Sequence, residues 1–109
     1  MNVGFLLFPK LTQLDLTGPY EVLARAPGAK LHLIWKYPDP VDSDRGLQLT
    51  PTTTFTDCPQ LDILCVPGGP GQVDLTVKAG SDVLVVKMTG NANTIDARVT
   101  VNGTLFATV

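Results

Sequence analysis

The sequence predicts an α/β fold: an incomplete doubly wound parallel sheet, βαβ plus a third core strand, with an antiparallel β portion appended. Three observations carry this. Residues 1–71 alternate apolar strand runs with a single helical stripe. The last of those runs, Leu61–Val66, breaks abruptly into Pro67-Gly68-Gly69-Pro70-Gly71, a buried strand ending in a constrained loop. Beyond Gly71 the texture changes: all nine prolines lie at or before Pro70, and short valine-rich alternating runs follow.

Val3–Phe8 is a nearly continuous apolar run closed by Pro9, as a strand buried on both faces requires. Leu14–Ala26 has helical spacing, with Leu16, Tyr20 and Leu23 on one stripe and Val22 and Ala26 widening it. Pro19 is expected in or near its first turn, where a missing N–H costs least, and Pro27-Gly28 stops it. Lys30–Tyr37 alternates as a second strand, completing a βαβ unit with parallel strands. Residues 41–55 read as a short excursion, two small strands around the turn Asp44-Arg45-Gly46. Asp57-Cys58-Pro59-Gln60 is expected to make one helical turn before the third core strand, Leu61–Val66.

The tail reads as four strands, 73–77, 82–88, 95–101 and 104–109. Asn102-Gly103 between the last two is a strong hairpin signal, because a type I′ turn needs φ > 0 at both central residues. One long helix on three core strands leaves a sheet face poorly covered, so self-association or packing of the tail over the gap is expected. The division expected is 1–71 for the α/β part and 72–109 for a β tail packed on the same domain.

A chain of 109 residues suits one small domain. Its net charge of −2, without a Lys/Arg cluster, gives no electrostatic footprint for nucleic acid or an anionic membrane. No apolar run approaches a membrane span, and Met1–Phe5 lacks the basic start of a signal peptide, so a cytoplasmic location is expected. Cys58 and Cys65 form no Cys-x-x-Cys or zinc spacing, and His32 is the sole histidine, so neither a metal nor another cofactor is expected.

Ligands in open α/β sheets bind beyond the carboxyl ends of the strands, where the Gly68-Gly69 loop should lie. Its amides could steady negative charge, although a plain tight turn explains the glycines equally. Asp15 reads from its position alone as a helix-start carboxylate favoured by capping and the macrodipole, or as a general acid/base. Glu21 belongs to a solvated helix face. Cys65, inside an apolar strand, should be an inert thiol; Cys58, nearer a turn, should be more exposed. His32 reads as a packed or hydrogen-bonded strand histidine, and Tyr20 and Trp35 as core or pocket-wall aromatics.

Several motifs occur together in order: Val3-Gly4-Phe5-Leu6-Leu7-Phe8-Pro9, Leu14-Asp15-Leu16-Thr17-Gly18-Pro19-Tyr20-Glu21-Val22-Leu23, Leu31-His32-Leu33-Ile34-Trp35-Lys36, and Asp57-Cys58-Pro59 through Leu61 to Gly69. On these, residues 1–71 resemble the ThiJ/PfpI superfamily of class I glutamine-amidotransferase-like proteins, in particular its isonitrile hydratase branch. The resemblance implies a flavodoxin-like sheet, commonly dimeric, with a cysteine nucleophile on a strand-to-helix elbow. It implies that this thiolate attacks the isonitrile carbon, that Asp15 manages protons, and that water releases an N-substituted formamide. Gly18, Gly68 and Gly69 are implied in substrate binding. The family's Ser-Val-Cys-Thr-Gly elbow and later histidine region have no counterpart here, for no cysteine follows Cys65 and no histidine follows His32.

The expectation is therefore an isonitrile-hydratase-like protein with a small-molecule ligand and a possible homodimeric state, but little or no turnover. Two alternatives stand beside it: a non-catalytic ligand-binding domain of the kind found in AraC-type regulators, and a structural or interaction fragment.

Overall fold

The computed structural model describes residues 1–71 in full and, beyond them, the backbone of three strands within residues 75–107. The elements in chain order are β1 (Asn2–Leu6), α1 (Gln13–Leu23), β2 (Lys30–Trp35), β3 (Val41–Asp42), β4 (Gln48–Leu49), β5 (Thr53–Thr54), β6 (Leu61–Val66), β7 (Leu75–Ala79), β8 (Val83–Met88) and β9 (Ile95–Ala107). The main sheet runs β5-β2-β1-β6-β9-β8-β7, and β3 and β4 form a separate antiparallel pair. Strands β5, β2, β1 and β6 are mutually parallel, so the α/β class holds.

The core follows from the apolar runs. Val3, Phe5, Leu6, Leu7 and Phe8 are fully buried, so β1 and the two residues after it are covered on both faces. Gly4 leaves room there for its neighbours. A Cβ on it would stand 2.4 Å from Leu61 Cδ1 and 2.7 Å from Ile34 Cδ1, the side chains that close over it from the two flanking strands. Helix α1 lays Leu16, Tyr20 and Leu23 on this core, and the Phe5 and Tyr20 rings meet at 5.3 Å. Val22 does not widen the stripe as expected: it is 70% exposed, as is Leu14.

The helix starts at Gln13, so Pro19 is its seventh residue rather than part of its first turn. It removes the N–H that would bond the Asp15 carbonyl. Gly18 is the residue that tolerates this, because a side chain before proline disfavours the helical region. Pro19→Ala restores the missing donor and is expected to stabilise the chain by about 1–2 kcal/mol, less than the full helix-interior penalty of proline. A higher urea midpoint at unchanged slope is the check. After Leu23 the chain tightens into i→i−3 bonds, Arg25 N to Val22 O at 3.2 Å and Ala26 N to Leu23 O at 3.1 Å, before Gly28 turns it at φ 75°.

Two small strands do flank Asp44-Arg45-Gly46, with Val41 opposite Leu49 and Gly46 at φ 84°. Buried Ser43 accepts the Arg45 and Leu47 amides at this turn. The helical turn expected at 57–60 is absent. The turn falls at 55–57 instead, where the Asp57 amide meets Thr54 Oγ1, because Pro59 drives Cys58 out of the helical region.

Asn102-Gly103 is not a hairpin. Strand β9 runs through it without reversing, pairing with β8 over 95–100 and in parallel with β6 over 101–107. Leu61 pairs with Val101 and Ile63 with Thr104, so β9 carries one extra residue there. The glycine serves a bulge at the point where the strand passes from one ladder to the other. The strands expected at 95–101 and 104–109 are therefore one, ending within the described residues at Ala107. Strands β7 and β8 pair antiparallel, as the alternating tail pattern suggested; residues 73–74 and 82 lie outside the described residues.

Candidate functional site at the carboxyl ends of β1 and β6

The winding of the parallel strands reverses at β1, since β2 and β5 lie on one side of it and β6 on the other. This is the position at which open α/β sheets bind ligands, and three loops meet there. The segment after β1 holds Lys10 at φ 66°, a left-handed conformation costly for a residue with a side chain. The Gly-rich loop after β6 lies directly on it. Thr12 N donates to Gly68 O at 2.8 Å, and Gly71 N donates to Lys10 O at 3.2 Å. The β3–β4 turn braces it from another side, with Lys10 N to Asp42 O at 2.9 Å and Asp44 N to Leu11 O at 2.8 Å.

Glycine is dictated at two positions of this contact. Gly69 has φ 136°, and a Cβ there would stand 2.5 Å from Thr12 N and 2.7 Å from Lys10 O. On Gly71 a Cβ would stand 1.9 Å from Pro9 O. Backbone must approach backbone at both, and no side chain fits.

Asp15 is the third residue of α1, and Thr12 is the residue that caps the helix in position. Thr-x-x-acidic at a helix start normally closes a reciprocal box: the threonine hydroxyl caps a first-turn amide, and the acid accepts the threonine amide. Neither half forms. The Thr12 amide goes to Gly68 O, and the Thr12 hydroxyl to Asp44 Oδ2 at 3.3 Å. Among the described residues the Asp15 carboxylate has no hydrogen-bond partner, and it is half-buried. Capping therefore does not account for Asp15.

Thr12 also links the two groups singled out in the sequence: its amide meets Gly68 O, and its carbonyl accepts the Asp15 amide at 3.1 Å. Gly18 lies one turn further along α1, and a Cβ there meets nothing within 4 Å. Glu21 belongs to the solvated face, paired with Arg25 at 2.9 Å. Sequence reasoning missed Asp44, whose only local signal was its place in a turn. Pro70 and Gly71 lie in a 3₁₀ turn, and β7 starts at Leu75.

Neither thiol is activated. Burial pushes Cys58 up to about 11 and raises Cys65 as well, so both stay protonated near neutrality. Cys58 is the more exposed of the two thiols, as expected, though it still packs half-buried against the core, its Sγ 3.2 Å from Pro59 O. No group of three or more His, Cys, Asp or Glu among the described residues is arranged to hold a metal.

His32 sits at the opposite, amino end of the sheet, its Nε2 3.1 Å from Asn2 Oδ1, while the Asn2 amide donates to Asp62 at 2.7 Å. It is structural. Burial first, and the neighbouring Lys30 charge second, lower its pKa from the ordinary 6.5. The unfolded chain thus binds the proton more readily than the folded one. The stability that this contributes is complete above 6.5 and is lost as pH falls from there through the folded value. Urea titrations at about pH 7 and about pH 5 are expected to show the loss, and His32→Gln to reduce it.

A three-loop site at the switch point of a flavodoxin-like sheet places the molecule in a known class. The chain belongs to the DJ-1/PfpI family, which it matches over residues 1–100; the match thus runs past Gly71 into the tail, where the motifs of the sequence gave out. Over 71 residues, 65% of its length, it is 63% identical to an isonitrile hydratase of Pseudomonas putida. That segment is 31% of the hydratase, so this chain spans about a third of the curated relative. Among solved structures it is similar to a ThiJ/PfpI family protein from Pseudomonas syringae, at 42% identity and a TM-score of 0.60, covering 62% of this chain and 28% of that one. An AraC family transcriptional regulator from Pseudomonas putida is similar at 30% identity and a TM-score of 0.53, covering 62% of this chain and 46% of the regulator.

Proposed function

We propose that residues 1–71 present the acid side of an isonitrile-hydratase-like site, and that the 109-residue chain by itself binds an isonitrile-like small molecule without turning it over. The observation that carries this is the Asp15 carboxylate, which has no hydrogen-bond partner among the described residues in the first turn of a helix whose capping residue, Thr12, bonds Gly68 O. Hydration of an isonitrile needs a nucleophile for the terminal carbon and an acid to protonate it as water adds. Asp15 supplies the second. The two thiols present are protonated, Cys65 buried and Cys58 half-buried, so neither supplies the first. Similarity to the hydratase over these residues supports the substrate class. In this reading Gly18 leaves the α1 surface open beside Asp15, Gly68 and Gly69 bring backbone close to the ligand, and 72–109 is a β tail on the same domain. A cytoplasmic location and a possible homodimer complete it.

A second reading, a ligand-binding domain without chemistry, is favoured by the similarity to the AraC family regulator. Both predict binding, and they part on the ligand. A simple alkyl isonitrile is expected to raise the melting temperature of the chain in a dose-dependent way, and Asp15→Asn to abolish the rise. Stabilisation that survives Asp15→Asn would remove Asp15 from the site and the hydratase reading with it.

A further inference from the structure

The main sheet has two edges, and they differ. One is β5, two residues long, paired with Ile34 and Trp35 of β2. The other is β7, Leu75–Ala79, paired along its whole length with β8. Among the described residues nothing pairs with the outer side of either. An edge strand presents a row of outward N–H and C=O groups, which only water or another extended chain can match. A two-residue edge is too short to template a partner. β7 is long enough: its five pairs with β8 run without a shift, and it contains no proline.

We infer that β7 is the interface between two copies of this chain, joined edge to edge as antiparallel strands about a two-fold axis at Val77. The strands β7, β8 and β9 already pair antiparallel, the arrangement in which a strand is complementary to a second copy of itself. Pairing β7 with the β5 of another copy would leave edges open and run on into filaments, and the two residues of β5 do not support it. Two β7 strands close the assembly at a dimer. Lysine is a common guard on natural edges, and β7 has one, Lys78. With the axis at Val77, Lys78 of each copy stands opposite Thr76 of the other and Leu75 opposite Ala79, so no like charges meet. An axis at Lys78 would set the two lysines against each other. This gives the homodimer of the proposed function its surface and rests on that reading for the number of copies; no ligand enters it.

Sedimentation equilibrium and amide hydrogen exchange by NMR, both on the full chain without ligand, test this apart from the isonitrile reading. Successive residues of β7 turn their amides alternately to β8 and outward. A species of twice the chain's mass is expected, with both sets protected. On dilution to the monomer the outward set is expected to exchange about tenfold faster or more, while the set facing β8 keeps its protection. Thr76→Pro and Val77→Pro each remove one amide, and one of the two removes an outward one. That variant is expected to stay folded and to dissociate about tenfold more readily, having lost a bond from each copy. A monomer at every concentration would leave the edge to a different partner and overturn the inference. So would a dimer whose outward β7 amides exchange freely, which would place the interface elsewhere, or an assembly that grows beyond two copies. Isonitrile-induced stabilisation is a separate readout, so the failure of either reading is seen apart from the other.

Discussion

Gly71→Ala is expected to destabilise the chain by about 2–3 kcal/mol, the upper part of the range for forcing atoms into filled space. The new Cβ would stand 1.9 Å from Pro9 O and 3.0 Å from Pro9 C, and both are backbone atoms that no rotamer change can move aside. Relief requires the Gly-rich loop to lift, which breaks the Gly71–Lys10 bond and loosens the Thr12–Gly68 bond next to it. The same substitution at Gly69 meets Thr12 N and Lys10 O and adds a φ of 136°. A lower urea midpoint at unchanged slope is the measurement. On the proposed reading of this loop contact as the ligand site, the variant is also expected to lose isonitrile-induced stabilisation at temperatures where it remains folded.

Phe5→Ala is expected to cost more, about 3–5 kcal/mol. Phe5 is fully buried between strands β2 and β6, opposite Leu33 and Cys65, and its ring meets Tyr20 of α1. Truncation removes the ring contact as well as the buried area and leaves a cavity at the centre of a small core. Domains of this size are stable by only about 5–15 kcal/mol, so much of the cooperative transition is forfeited. Near-ultraviolet circular dichroism and a urea titration would show it. A loss below about 1 kcal/mol would mean that α1 does not rest on β1 as described.

Much of the fold was legible because its signals are local and redundant. Leu61–Val66 is bounded by Pro59 and by the Pro67-Gly68-Gly69 run, and the strand occupies those residues and no others. The Leu16-Tyr20-Leu23 stripe faces the core for the same reason, a spacing that only a helix satisfies. What was not legible depended on partners distant in sequence. Asn102-Gly103 carries a strong turn signal, yet two ladders fixed β9 as a single strand and turned the glycine to a bulge. Strand β5 is two residues long and exists by its pairing with Ile34 and Trp35.

At the candidate site the division is similar. The Gly-rich loop announced itself by composition, and its place at the strand ends followed from the topology. The state of Asp15 did not. Thr12-x-x-Asp15 reads locally as a helix start that satisfies itself, and only the tertiary partners of Thr12, Gly68 and Asp44, show that it does not. A capping motif whose donors are diverted elsewhere leaves its acidic residue outside the box, and no spacing rule in a single sequence contains that fact.

The most direct test of the central claim is a turnover measurement on the purified 109-residue chain. A simple alkyl isonitrile is supplied, N-substituted formamide is followed by mass spectrometry, and Asp15→Asn is run beside the parent. The account predicts ligand-dependent stabilisation that needs Asp15 and no formamide above the protein-free control. Formamide that appears with the parent and vanishes with Asp15→Asn would contradict it, since catalysis would then proceed without an activated thiolate.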